Sequence, residues 1–235
     1  TSHKYVSLSA ATFLGRRVGE LNIISCHLGN GASIAAIVHG RSGDTSMGMT
    51  PVEGLIMGTR AGDVDAGILV HLARKERLTP GKLDELLNKR SGLLGLSGVS
   101  SDMREVQKAA GNGHRRALLA LRAFSYRVRK YIGAGLAATG GADALIFTGG
   151  IGEGSAEVRA LATQGLAGLG IAIDEEKNRG ARLDDRSRVA DITGQGSKAR
   201  VLVVHTNESR MIARETIRAL GRDQVKVLVG PGTHG

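Results

Sequence analysis

The sequence predicts an α/β fold in which a mixed sheet is flanked by helices, and three features of the chain predict it. Apolar runs at residues 21–26 and 33–38 flank a glycine-rich turn, which is typical of paired antiparallel strands. Two later apolar runs, at residues 144–148 and 200–205, each pass through a glycine or polar turn into a helical pattern. Residues 114–140 carry the apolar spacing of one long helix.

The first two strands, at residues 21–26 and 33–38, are predicted to pair through the Gly-Asn-Gly turn at residues 29–31. The segment HGRSGDTSMG, residues 39–48, supplies another turn and a third short extended piece. The chain therefore opens as a meander of strands, and not as a single strand followed by a helix.

Helices are predicted at residues 52–58 and 65–77. A further helix begins in the segment TPGKLDELLNK, because Thr79 can cap it and Pro80 suits the first helical position. Its apolar face carries Leu83, Leu86 and Leu87.

Residues 114–140 are predicted to form the longest helix, because apolar residues recur there at helical spacing. These residues are Leu118, Leu121, Phe124, Val128, Tyr131, Ile132 and Leu136. The basic residues on the rest of the helix are Arg115, Arg116, Arg122, Arg127, Arg129 and Lys130. Such a stripe is typical of a solvated helix face, and it would also suit a polyanion; we favour the solvated face.

Two turns follow predicted strands at the place where open α/β sheets bind ligands. The strand at residues 144–148 ends in GGIGEGS, and a helix is predicted to start near Ser155 with Glu157 in its first turn. The strand at residues 200–205 is followed by a helix that Asn207 can cap.

Composition limits the classes of function. The chain has 235 residues, of which 41% are hydrophobic and 23% are charged, and no apolar run reaches the length of a membrane span. We therefore expect a soluble cytoplasmic protein with no membrane partner. Cys26 is the only cysteine, which excludes an internal disulfide and a thiolate metal cluster.

The net charge of +10 would suit nucleic acid, but the basic residues are spread along the chain and only three Phe and three Tyr are available for base stacking. An anionic small substrate explains the charge as well, so we expect no nucleic-acid partner. Glycine is the informative excess, because 35 glycines are about twice the usual share.

Two glycine segments are candidate phosphate cradles, because backbone N–H groups can approach an anion where no Cβ obstructs them. The Gly-Asn-Gly turn at residues 29–31 fits this interpretation, but taken alone it fits a plain hairpin turn better. Residues 148–155, TGGIGEGS, form a second candidate. Neither segment has the G-x-G-x-x-G fingerprint of dinucleotide folds or the Lys of a P-loop.

Two charged residues are candidates for chemistry. Arg60 lies among glycines, where a guanidinium can come close to a phosphoryl group or a carboxylate; an isolated loop arginine is also a common surface residue. Glu208 follows a predicted strand at a helix start, where it could bind magnesium or simply stabilise the helix N-terminus.

Four segments in this order and spacing resemble the acetate kinase family, which belongs to the superfamily that includes actin and the sugar kinases. They are HLGNGAS, DTSMGMTPVEGLIMGTRAGDVDAG, FTGGIGEGS and TNESRMIARET, and the resemblance covers residues 1–221. It implies an actin-like ATPase lobe of the ribonuclease H-like type.

The resemblance also implies the site. In this family ATP or ADP is held by three segments, the first at the phosphates and the other two around the adenosine. In this chain the corresponding residues are His27, Leu28, Gly29, Asn30 and Gly31, then Asp102, Met103 and Arg104, then Gly150, Ile151, Gly152, Glu153 and Gly154. Arg60 corresponds to the transition-state arginine and Glu208 to the Mg²⁺ ligand. From the residues alone, Ser101 and Asp102 also fit a helix cap.

The activity that the resemblance implies is reversible transfer of the γ-phosphoryl group of ATP to acetate, giving acetyl phosphate and ADP. A propionate or butyrate kinase of the same family and a non-catalytic nucleotide-binding module are the alternatives. The resemblance also implies a homodimer that is joined through this lobe. Apolar surface on the helices between residues 66 and 136 is then the candidate interface.

The resemblance assigns residues 1–206 to the nucleotide-binding C-terminal lobe and residues 207–235 to a helix and tail that return toward a first lobe. That first lobe has no counterpart here, so we expect the chain to be part of a longer protein and inactive alone. His3 matches a structural histidine of the family, and Gly154 stands where the family usually has Asn.

Overall fold

The computed structural model describes residues 1–184, 187–207, 211–213 and 216–217. Its helices in chain order are α1 (Ser2–Phe13), α2 (Ala66–Lys75), α3 (Pro80–Lys89), α4 (Gly92–Ser97), α5 (Met103–Gly111), α6 (Arg115–Thr139), α7 (Gly149–Gly154), α8 (Ala156–Thr163) and α9 (Glu175–Gly180). Its strands are β1 (Asn22–Leu28), β2 (Ala32–Val38), β3 (Arg41–Thr45), β4 (Ala144–Thr148), β5 (Val189–Asp191) and β6 (Arg200–Val204).

The strands of the described residues form one mixed sheet in the order β3-β2-β1-β4-β6-β5. The opening meander is antiparallel, with Asn22 opposite Val38 at the start of β1. Strands β1, β4 and β6 run parallel, and β5 pairs antiparallel at the far edge. The predicted mixed sheet and its opening hairpin are therefore confirmed.

The central strands are apolar on both faces because helices cover both faces of the sheet. On one side Ile24, Cys26 and Leu28 of β1 lie in a core with α6. On the other side Ile23 and its neighbours pack against α1. Helix α6 lies so close that a Cβ at Gly135 would stand 2.9 Å from the Ile24 side chain. This two-sided burial fixes the central strands.

Cap residues mark several helix starts that the sequence predicts. The side chains of Asp65, Thr79 and His114 accept hydrogen bonds from the first turns of α2, α3 and α6. Helix α6 is the longest, as predicted. Among the described helices, none combines the length and the apolar composition that a membrane span requires.

The predicted helix at residues 52–58 is wrong, because these residues form an irregular loop. Gly54 has φ +99° and its N–H donates to Asp63 Oδ1, while the N–H of Gly58 donates to the Asn30 carbonyl. Long-range partners thus take the N–H groups that a helix needs. The sequence also did not predict α1, α4, α9 and β5, and the predicted turn at GGIGEG is the short helix α7.

Candidate active site

The two glycine segments meet at one edge of the sheet. Strands β1 and β4 are parallel neighbours, so the segments that follow them leave the sheet side by side. A cavity of about 570 Å³ lies there, between these segments and the start of α5. It is lined by Gly29, Asn30, Ser101, Asp102, Met103, Arg104, Gln107, Gly150, Ile151, Gly154 and Ser155. The three segments that sequence analysis assigned to a nucleotide therefore surround one cleft.

The glycines of α7 serve two different purposes. Gly149 has φ +80°, and a Cβ there would stand 2.7 Å from the Leu28 carbonyl oxygen, so this position lets the chain turn tightly against β1. A Cβ at Gly150 or Gly154 would meet no atom within 4 Å, and both residues line the cavity. The backbone at these two positions is therefore open to a ligand.

Glu153 lies in the predicted nucleotide segment, but its carboxylate binds groups of the protein itself. Its Oε1 accepts hydrogen bonds from the N–H of Gly149 at 3.0 Å and of Thr206 at 3.1 Å. Its Oε2 lies 2.7 Å from Nδ1 of His205. Glu153 thus connects α7 to the end of β6, and it does not line the cavity.

Arg159, which sequence analysis did not single out, lies buried behind α7. Its guanidinium donates to the carbonyl oxygens of Gly152 at 2.9 Å and Glu153 at 2.8 Å, and to both oxygens of Asn178. Burial, with the charge of Arg182, lowers the pKa of Arg159 to about 10, so it stays charged at neutral pH. It stabilises the last carbonyl groups of α7 and so fixes one wall of the cavity.

Asp102 and Arg104 fit both interpretations of their segment, a helix cap and a part of the nucleotide site. Asp102 Oδ1 accepts from the N–H of Arg104 and caps α5, while Oδ2 lies 2.6 Å from the Arg104 guanidinium. This hydrogen bonding lowers the pKa of Asp102 to about 2 and raises that of Arg104. The Arg104 side chain is 87% exposed and available to a ligand.

Gln107 and Ser155 also line the cavity; Ser155 ends the predicted glycine segment at residues 148–155, whereas Gln107 belongs to no predicted segment. Ser155 Oγ donates to Gln107 Oε1 at 3.2 Å, and Gln107 Nε2 donates to Glu157 Oε2 at 2.6 Å. A glutamine without a motif gives no signal in one sequence; the packing of α5 and α8 against α6 brings it to the cavity.

Arg60 lies at the far side of the Gly-Asn-Gly turn. It lines a neighbouring cavity of about 440 Å³, which shares Asn30 with the first. Its guanidinium lies 3.7 Å from the position that a Cβ at Gly31 would take, so it reaches the turn itself. A Cβ at Gly58 would overlap the Asn30 side chain, which explains the glycine that precedes Thr59 and Arg60.

The charge of Arg60 is available for a ligand. The side chain is half-buried, and its one hydrogen-bond contact within the described residues is with Met57 Sδ at 3.7 Å. No ion pair of the described residues includes Arg60. A half-buried cation without a carboxylate partner is suited to an anionic ligand.

Other predicted residues lie next to the cavity without lining it. His27 and Leu28 are the last residues of β1; Leu28 is buried, and His27 Nδ1 lies 2.8 Å from Ser2 Oγ. Gly31 lines the Arg60 cavity, and Gly152 packs against the backbone of Phe147. The direct contacts predicted for these residues and for Glu153 stay predictions.

The metal prediction rests on Glu208, which lies outside the described residues. Within the described ranges, no group of three or more His, Cys, Asp or Glu residues could hold a metal ion. Most of the segment 207–235 likewise lies outside them, although residues 211–213 and 216–217 are helical.

The sheet order, the helices on both of its faces and the glycine segments at neighbouring strand ends define an actin-like ATPase lobe of the ribonuclease H-like type. The chain belongs to the Acetokinase family, whose profile matches residues 1–214.

Curated relatives include the acetate kinase of Dictyoglomus turgidum, 55% identical over 97% of this chain and 55% of its own length. The acetate kinase of Heliobacterium modesticaldum is 54% identical over 94% of this chain and 54% of its own length. The chain therefore spans about half the length of the curated relatives that it matches.

Solved structures agree with this family. The acetate kinase of Porphyromonas gingivalis superposes with a TM-score of 0.89 at 48% identity, covering 94% of this chain and 54% of that one. A propionate kinase from Francisella tularensis superposes with a TM-score of 0.83 at 43% identity, covering 91% of this chain and 53% of that one.

Proposed function

We propose that this chain is the nucleotide-binding lobe of an ATP:acetate phosphotransferase, which reversibly converts acetate and ATP into acetyl phosphate and ADP. The observation that carries the proposal is the convergence of residues 29–30, 102–104 and 150–151 with Gly154 around one cleft. Arg60 lies at its side and has no carboxylate partner among the described residues. The names of relatives at 50–55% identity support the same reaction. In this proposal residues 1–206 form the lobe, and residues 207–235 return toward a first lobe.

The site chemistry fits phosphoryl transfer to a carboxylate. Acetate is an anion at pH 7, so its oxygen needs no general base before it attacks phosphorus. The barrier arises because one anion approaches another and negative charge spreads over the phosphoryl oxygens. Arg60 offers a charged donor beside the Gly-Asn-Gly turn, where it can stabilise that charge.

The segments of the cleft divide the work of binding. The Gly-Asn-Gly turn at Gly29 and Asn30 would bind phosphate, while Arg104, Ile151 and Gly154 would surround the nucleoside. Mg²⁺, when bound, would neutralise charge on the phosphates, with Glu208 as the proposed protein contact. A carboxylate is a ligand type that Mg²⁺ prefers.

Two alternatives remain distinct from this proposal. A propionate or butyrate kinase would share this lobe, because the Francisella propionate kinase superposes on it with a TM-score of 0.83. One methylene group changes binding by only about 1 to 3 kcal/mol, so acyl preference can be shallow. A non-catalytic nucleotide-binding module is less consistent with Arg60, since mere binding does not require, at the phosphate end, an arginine that has no carboxylate partner in the described part of the chain.

We also propose a homodimer that acts in the cytoplasm. Helix α2 supports the dimer, because it has no buried side chain and exposes Ile68 and Val70 by 44% and 52%. The single buried cysteine, Cys26, is consistent with a reducing compartment.

The direct test is detection of acyl phosphate as its hydroxamate, with ATP, Mg²⁺ and acetate, propionate or butyrate. It should be run on the complete gene product beside this chain. We expect acetyl phosphate from the complete protein and none from this chain alone. Absence of any acyl phosphate from the complete protein would contradict the proposed function, and a higher kcat/KM with propionate or butyrate would favour the alternative.

Replacement of Arg60 by Ala in the complete protein should lower kcat about 10²- to 10³-fold, because a preorganised donor to the transition state is lost. The Kd for ADP, measured by calorimetry, should stay within about threefold of the unmodified value. Arg41→Ala, an exposed arginine on β3, is the matched control and should retain full turnover. Near-normal turnover of Arg60→Ala would refute its assignment.

A further inference from the structure

The loop at residues 54–63 carries Arg60 and is closed at its base by its own two ends. The N–H of Asp63 donates to the Gly54 carbonyl at 3.1 Å. In return, Asp63 Oδ1 accepts from the N–H of Gly54 at 2.7 Å. A single side chain thus reinforces the point at which the loop leaves and rejoins the body of the lobe.

The second oxygen of Asp63 is bound by two residues of helix α6. Oδ2 lies 3.0 Å from the Arg127 guanidinium and accepts from the Tyr131 hydroxyl at 2.8 Å. Arg127 also donates to the Gly54 carbonyl at 3.0 Å, so it contacts both ends of the loop. The Arg127 side chain is 22% exposed, which protects this ion pair from full screening by water.

The Tyr131 hydroxyl remains a hydrogen-bond donor to Asp63 at physiological pH. Burial, aided by the bond to Asp63, raises the pKa of Tyr131 to about 12, so the hydroxyl keeps its proton at physiological pH. Helix α6 itself is anchored in the core through Phe124, Val128 and Ile132. Asp63, Arg127 and Tyr131 together form a clamp, which connects the loop to the well-packed helix α6.

The tip of the loop is held by neutral contacts, which include the buried Met57 side chain and a hydrogen bond from the Thr59 hydroxyl to the Asn88 carbonyl at 2.8 Å. The N–H of Gly58 donates to the Asn30 carbonyl at 2.9 Å, and the N–H of Ala61 donates to the Leu87 carbonyl at 3.0 Å. Two residues, Ala61 and Gly62, separate Arg60 from Asp63. A shift of the backbone at Asp63 would therefore also displace the Arg60 guanidinium.

We propose that Asp63, bound by Arg127 and Tyr131, is a positioning residue that fixes Arg60 beside the Gly-Asn-Gly turn. The inference rests on the proposed function only in its kinetic consequence, since the clamp is a property of this lobe. The sequence alone places Asp63 near Arg60, but the partners on α6 follow only from the fold.

Tyr131→Phe is the sharpest test, because it removes one hydrogen bond and keeps the ring. In the complete protein kcat should fall about 3- to 10-fold, with the KM for ATP changed less than about twofold. In an Arg60→Ala background the same substitution should cause no further loss of kcat. Tyr126→Phe is the control, because Tyr126 lies on the same helix with 57% exposure, and it should behave as unmodified protein.

Hydrogen exchange of the backbone amides at residues 55–62 separates this inference from the proposed function, because it needs no activity. In this chain, Tyr131→Phe and Asp63→Asn should speed exchange there at least about threefold, while Tyr126→Phe does not. Unchanged exchange overturns the clamp, whether or not the complete protein makes acyl phosphate. In an active protein, equal kcat losses with and without Arg60, or a change confined to KM, would also overturn it.

Discussion

At the scale of single residues, His3 shows how the lobe uses a buried titratable group for structure. Its Nδ1 lies 2.9 Å from Ser25 Oγ of β1, and its Nε2 lies 2.9 Å from Ser33 Oγ of β2. Burial, together with the nearby His27, lowers the pKa of His3 to about 4. The neutral ring therefore bridges α1 to two strands, which agrees with the structural role expected from the sequence.

The low pKa of His3 predicts a loss of stability in acid. The unfolded chain binds this proton near pH 6.5, whereas folded His3 binds it only near pH 4. Protonation between these values favours the unfolded chain, so stability is complete above about pH 6.5 and falls toward pH 4. The free energy of unfolding should be measured in urea at pH 7 and at pH 4.5. Between these pH values it should fall by about 2 kcal/mol less in His3→Gln than in the unmodified chain. Equal losses would contradict the buried neutral histidine.

Single residues also show what one sequence reveals about a site. Gly29 and Gly150 could be predicted, because glycines after apolar runs require a backbone reason, and Asn30 lies in the same turn as Gly29. Arg159 could not, since a helical arginine usually faces water, and its burial follows from the carbonyl groups that α7 and α9 bring together. Gln107 could not be predicted either, because its place at the cavity depends on how the helices pack.

At the scale of elements, the glycines of α7 have two roles: one allows tight packing, and others leave the backbone open to a ligand. Gly149 turns against β1, while Gly150 faces the cavity with nothing near its Cβ position. Adjacent positions of the same residue type therefore have different requirements, which the sequence GGIGEG does not reveal.

Alanine at these two glycines should separate stability from binding. Gly149→Ala places a side chain at φ +80° and against the Leu28 carbonyl, so it should lower the free energy of unfolding by about 1 to 3 kcal/mol. Gly150→Ala should change stability by less than about 0.5 kcal/mol and weaken ADP binding, because it fills part of the cavity wall. Urea unfolding and calorimetry measure the two effects. Equal destabilisation by both substitutions would contradict the structure.

Elements with local signals were predictable, and those that depend on distant partners were not. Helices α3 and α6 follow from caps and apolar periodicity, which act within a few residues. The segment at residues 52–58 has a similar apolar pattern, but Asn30 and Asp63 take its N–H groups. Strand β5 is short and exists only because β6 lies beside it.

At the scale of the whole lobe, helix α2 combines the absence of a buried side chain with two exposed large apolar residues, Ile68 and Val70. Helix α2 has an apolar sequence but no buried side chain, and it packs mainly against α3, which also has none. The rest of the described lobe has large cores on both faces of the sheet. This contrast is what a surface reserved for a second copy would produce.

The proposed dimer predicts that charge on α2 dissociates it. Ile68→Asp with Val70→Lys should convert a dimer into a monomer in sedimentation velocity, with an unchanged circular dichroism spectrum. Leu169→Lys is the control, because Leu169 is at least as exposed, at 57%, but lies outside residues 66–136. A variant that still sediments as the unmodified chain would exclude α2 from the interface.

The parallel pairing of the central strands has a consequence for synthesis on the ribosome. Ile23 of β1 pairs with Ala144 of β4, and Leu145 in turn pairs with Val201 of β6. The opening hairpin emerges long before β4, so one edge of β1 waits without its neighbour while the intervening helices are translated. An apolar strand edge in that state can pair with another nascent chain. We therefore expect the yield of folded lobe in a cell to depend on how quickly translation proceeds from β1 to β4, and on chaperones during that interval.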